Sequence, residues 1–82
     1  MVVFWYYKEG VILMTFEYII EIRGKVKSLD LYKKVERFNA NVTDIIFLTF
    51  VYGEADLNTL IKIILICAKY GKVKVSFTRR LE

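Results

Sequence analysis

Apolar and polar positions alternate in two parts of the chain and recur at helical spacing in two others. Over the 13 residues Val11–Arg23, Ile12, Met14, Phe16, Tyr18, Ile20 and Ile22 share one face. Val11, Leu13, Thr15, Glu17, Ile19, Glu21 and Arg23 share the other, which becomes more polar towards its end. That pattern predicts a strand with one buried face, long enough to require a bulge or bend. Val2–Tyr7 is β-prone at every position, and Lys8-Glu9-Gly10 reads as the turn of an antiparallel hairpin joining it to the long strand. Near the end, Val73, Val75 and Phe77 alternate with Lys72, Lys74, Ser76 and Thr78, predicting a half-exposed strand near an edge, guarded by lysines.

Between these strands, Leu31, Val35 and Phe38 recur at i, i+4 and i+7, with Tyr32 beside them. They form the buried stripe of a helix over Leu29–Phe38, with Ser28 as its N-cap and Asn39-Ala40-Asn41 as its stop. A second helix opens after Gly53-Glu54-Ala55, with Asp56 as N-cap, and ends at Gly71. Six of the eight residues of Asp44–Val51 are apolar, mostly β-branched or aromatic. This run reads as a central strand buried on both faces, with Phe47 and Ile64 in the core. The predicted order is ββαβαβ: an α/β fold with a small mixed sheet of four strands, an N-terminal antiparallel hairpin, then two β-α-β crossovers with parallel strands.

Composition narrows the class. The chain has 82 residues, enough for one domain over 1–80, and Leu81-Glu82 has the composition of a cloning scar. Apolar residues make up 56% and aromatics 16%, more than a domain of this size can bury, so some apolar surface is expected to meet a partner or a second copy. The single cysteine allows no internal disulfide, and a reducing cytoplasm is the expected compartment. No apolar run reaches the roughly 20 residues of a membrane span.

Catalytic chemistry finds little support. There is no histidine to act as general base. Cys67, inside Ile-Leu-Ile-Cys-Ala-Lys, reads as a core thiol, and the four glycines form no phosphate loop. Glu54 and Asp56 could share a divalent cation, but two carboxylates are too few oxygens, and capping is the preferred role of Asp56. No catalytic, cofactor or metal residue is therefore assigned.

The formal charge of +4 permits nucleic-acid binding. The cations fall in groups: Arg23, Lys25, Lys27; Lys33, Lys34, Arg37; Lys69, Lys72, Lys74; and Arg79, Arg80. In a parallel sheet the first and third groups would lie at opposite ends, which argues against one groove. The second helix is apolar on nearly every side, and between Leu57 and Ala68 its only charge is Lys62. That favours self-association or a partner surface.

The stretch Ile20-Glu21-Ile22-Arg23-Gly24-Lys25-Val26 resembles the strand ending in Gly-x-Leu of STAS domains, the module of anti-sigma-factor antagonists. Ile45–Thr49 resembles that family's central strand, and Asp56-Leu57-Asn58-Thr59-Leu60 sits where the family carries Asp-Ser-Ser-Gly-Leu. The resemblance implies a protein-binding module with its surface at Asp56, Asn58, Thr59 and Lys62. Asn58 stands where the family has its phosphorylated serine, so no phosphoserine switch carries over.

The leading expectation is a small non-enzymatic interaction or regulatory module that forms a homodimer and binds a further protein. Its dimer interface is expected at Phe4, Trp5, Tyr6, Tyr7, Leu65 and Ile66, because Trp and Tyr are enriched in interface cores. The alternative is a compact basic nucleic-acid-binding protein. A metal-dependent enzyme using Glu54 and Asp56 ranks third.

Overall fold

The computed structural model describes residues 14–81. The expected first strand, Val2–Tyr7, lies outside them. The described elements are β1 (Met14–Arg23), α1 (Ser28–Val35) with a 3-10 turn over Glu36–Phe38, β2 (Asn41–Ile45), β3 (Leu48–Asp56), α2 (Leu57–Ala68) and β4 (Lys72–Leu81). The four strands form one sheet in the order β2-β3-β1-β4, and every neighbouring pair is antiparallel.

The α/β class agrees with the sequence pattern, but the sheet is antiparallel throughout rather than mixed, two of its four strands come from the stretch read as one central strand, and the connections differ. β1 and β2 run parallel, as expected for the two ends of a β-α-β unit, yet β3 lies between them. β3 and β4 are likewise parallel and separated by β1. The described chain is thus two interleaved, split β-α-β units, the connectivity called ferredoxin-like.

The main departure is the run Asp44–Val51, which is not one central strand. It is the hairpin of β2 and β3, turned by Ile46 and Phe47 between the paired residues Ile45 and Leu48. Both turn residues have positive φ, 26° and 59°, the geometry that lets a two-residue turn follow the twist of its strands. Phe47 is therefore 81% exposed at the tip rather than buried in the core. Ile64 does pack against the core.

The core follows from the alternation of β1. Met14, Phe16, Tyr18, Ile20 and Ile22 all point to the helix side and are buried. Leu31 and Val35 of α1, and Leu60, Ile63 and Cys67 of α2, cover them with Val51. Full burial of each large aliphatic side chain contributes about 1.5–3 kcal/mol. Asn39 takes the left-handed conformation at φ 60° and closes the first helical segment, as its residue type predicts. At Gly71 a Cβ would come within 2.7 Å of the Arg23 carbonyl oxygen, so only glycine lets the chain enter β4 so close to the end of β1.

Two capping expectations are corrected. Ser28 is the first residue of α1 rather than its N-cap, and its hydroxyl donates to Asp44 Oδ2 at 2.5 Å. Thr49 Oγ1 donates to Asp44 Oδ1 at 2.7 Å. Asp44 thereby ties the start of α1 to the β2–β3 hairpin. Asp56 does occupy the N-cap position of α2 with extended backbone, but its side chain makes no capping hydrogen bond.

Two tests follow. Asn-Gly is the preferred sequence for a turn with two positive φ values, so Ile46→Asn combined with Phe47→Gly should raise stability by roughly 1–3 kcal/mol in chemical denaturation. An unchanged or lower midpoint would contradict the hairpin. The second concerns Asp44, whose carboxyl is held below its ordinary 3.8 by the hydrogen bonds from Ser28 and Thr49. A lowered folded-state pKa means that this stabilisation is present above pH 3.8 and is lost as pH falls through the folded value. Wild type should therefore melt above Asp44→Asn at neutral pH, with the gap closing on acidification. A gap independent of pH would refute the role.

Candidate functional site

The second face of the sheet carries the side chains that β1 turns away from its helices: Thr15, Glu17, Ile19, Glu21 and Arg23. Among the described residues, no element covers it. Strand register sorts this face into rows. Tyr52 and Ile19 lie side by side, flanked by Asn41 and Ser76. In the next row Thr43, Phe50, Glu21 and Lys74 follow one another across the four strands, and after it Ile45, Leu48, Arg23 and Lys72. Ile19, Thr43, Ile45, Phe50 and Tyr52 line a shallow depression of about 320 Å³. Ile19 is 52% exposed despite its position on a central strand.

Phe50 and Tyr52 stand two residues apart on β3, so their rings project from the same face about 7 Å apart. The strand alternation that buries Val51 between them sets this spacing. Three basic residues, Arg23, Lys72 and Lys74, lie towards one end of the same face. Because β1 and β4 are antiparallel, Arg23 at the end of one strand is opposite Lys72 at the start of the other, and Glu21 is opposite Lys74. This reverses the expectation that these groups lie at opposite ends of the sheet. Lys25 and Lys27 follow Arg23 in the chain at that end, and Lys69 caps α2 just before Gly71. Arg23 Nε pairs with Glu21 Oε2 at 3.3 Å, an exposed contact that leaves Arg23 largely in solvent. The opposite end carries both signs of charge: Glu17 is paired across the strands to Glu54, and Thr15 stands between Asp56 and Arg80.

The residues expected to bind a partner cluster at the start of α2: Asp56, Asn58 and Lys62 are exposed and Thr59 is half-buried. Of the expected dimer-interface residues, Phe4, Trp5, Tyr6 and Tyr7 lie outside the described residues. Leu65 is 61% exposed, whereas Ile66 is partly buried against the core. Leu57, Ile61 and Leu65 make an exposed apolar stripe at i, i+4 and i+8 along α2.

Among the described residues, no three histidine, cysteine, aspartate or glutamate side chains gather where they could hold a metal ion. Cys67 is fully buried, and burial pushes its thiol up to about 11, which suits a packing role. The Tyr18 hydroxyl is buried without a hydrogen-bond partner among the described residues, and burial pushes its pKa up to about 12. On the outer side, Tyr70 Oη donates to Asp30 Oδ2 at 2.7 Å, linking α1 to the end of α2. No described helix is long and apolar enough to cross a membrane.

The sequence singled out neither Phe50 nor Tyr52 as a site residue. Their Phe-Val-Tyr alternation was visible, but reading Asp44–Val51 as buried on both faces concealed it. No family model, curated protein or solved structure matches the chain.

Proposed function

We propose that this protein binds single-stranded nucleic acid on the second face of its sheet, with bases stacked on Phe50 and Tyr52 and phosphates neutralised by Arg23, Lys72 and Lys74. The observation that supports it most is the antiparallel register that sets Arg23 opposite Lys72 at the end of an aromatic strip. Open four-stranded sheets that bind single-stranded RNA stack two or three bases on exposed aromatics. Such stacking tolerates any base, because each has a π-face, and a basic groove tracks the backbone. The connectivity of the fold is shared by unrelated functions, so the reading rests on these side chains alone.

Fluorescence anisotropy with a labelled uridine or thymidine oligonucleotide tests it. Neutralising three phosphates on a single strand should give a slope of about −2 in log affinity against log salt. Lys72→Glu with Lys74→Glu should flatten that slope, and Phe50→Ala should cost about 1–3 kcal/mol of binding without loss of fold. Absence of binding at low salt would sink the proposal.

The stripe on α2 supports a second reading, self-association. Leu57, Ile61 and Leu65 are exposed together, Asp56 stands at the acidic end of the helix and Lys69 at its basic end. Two copies related by a twofold axis through Ile61 would cross with antiparallel dipoles and opposed charges. Sedimentation velocity at micromolar concentration should give a dimer that Ile61→Glu converts to monomer. A wild-type monomer throughout the concentration series would contradict this.

A further inference from the structure

The aromatic strip leaves the tip of the β2–β3 hairpin without a role. Ile45, Ile46 and Phe47 are consecutive, apolar and exposed, the last two by 80% and 81%. Their side chains add nothing to the core, and at Ile46 and Phe47 positive φ values burden the backbone as well. A β-branched residue and a phenylalanine at such positions are poor choices for the turn alone, where asparagine and glycine serve better. The tip is also held in place. The Gly24 N–H donates to the Phe47 carbonyl at 3.4 Å, which fixes it beside the end of β1. Arg23, Lys25, Lys27 and Lys72 lie at that same end.

An apolar projection set among cations is the arrangement by which proteins enter between stacked bases, the cations holding the flanking phosphates while a Phe or Ile side chain separates the step. Phe47, in the turn, precedes Phe50 of β3 by three residues, so the tip and the aromatic strip are within about 10 Å of chain of one another. A polymer can therefore engage the tip and the strip together. A bilayer would meet the tip alone and leave Phe50 and Tyr52, set back along the sheet face, in water. We propose that Ile46 and Phe47 form a wedge that unstacks the last base pair of a duplex whose single-stranded arm lies over Phe50 and Tyr52. The ligand class is then a single strand adjoining a duplex, as in a fork or a hairpin stem. This inference rests on the nucleic-acid reading of the sheet face.

The test compares two oligonucleotides with the same single-stranded arm, one of them continued into a duplex carrying 2-aminopurine at its terminal pair. Wild type should bind the forked molecule roughly tenfold more tightly than the arm alone, with a rise in 2-aminopurine fluorescence as the base unstacks. Ile46→Asn with Phe47→Gly, a variant suited to the turn, should keep its affinity for the arm and lose both the fork preference and the fluorescence rise. Equal affinity for arm and fork in wild type, or a preference that survives in the variant, would overturn the wedge and leave the sheet-face reading standing. No binding to either molecule would overturn both. Pelleting with phosphatidylserine vesicles that depends on Ile46 and Phe47, without fork preference, would assign the tip to a lipid surface and overturn the wedge.

Discussion

Strand β1 is hydrogen-bonded on both sides, antiparallel to β3 and to β4. That double pairing places a strictly alternating strand at the centre of the sheet, and its alternation then divides the molecule. Every second residue from Met14 to Ile22 goes into the core under α1 and α2. The residues between them go to the other face, where β3 and β4 must contribute side chains in register. The aromatic strip and the basic rows are products of that register. Shifting β3 by one residue would turn Phe50 and Tyr52 inward and Val51 outward, and shifting β4 would turn Lys72 and Lys74 inward in place of Val73 and Val75.

The antiparallel sense matters as much as the alternation. A parallel β4 would carry Lys72 to the far end from Arg23. The observed sense brings cations from a strand end, a loop and a helix end to one edge of the molecule. Close packing there depends on Gly71, which lets β4 start against the carbonyl of Arg23. The polar tie among Ser28, Asp44 and Thr49 fixes the adjoining hairpin.

Much of this was legible in the chain. The period-2 pattern identified the face of β1 that is buried, the i, i+4 spacing identified Leu31 and Val35, and Asn39 marked the end of the first helical segment. The hairpin was not legible, because its turn lacks the Asn-Gly or Gly pairs that announce such turns. Ile46 and Phe47 continue an apolar run, so Asp44–Val51 read as one strand. From that single misreading came the parallel sheet, the buried Phe47 and the separation of the basic groups. Strand order is a long-range property, and local periodicity does not encode which edge a strand joins. The near absence of charge on α2 pointed to apolar surface at Leu65 and Ile66, of which Leu65 is exposed and Ile66 is not, whereas the stripe with Leu57 and Ile61, like the pair Phe50 and Tyr52, is visible only in the structure.

The most direct measurement of the central claim is a map of amide chemical-shift changes in the isotope-labelled protein as a short single-stranded oligonucleotide is added. Binding on the open sheet face should move Ile19, Glu21 and Arg23 of β1, Phe50 and Tyr52 of β3, and Lys72 and Lys74 of β4, in proportion and to saturation. Shifts confined to the outer surfaces of α1 and α2, or no shifts at low salt, would contradict it.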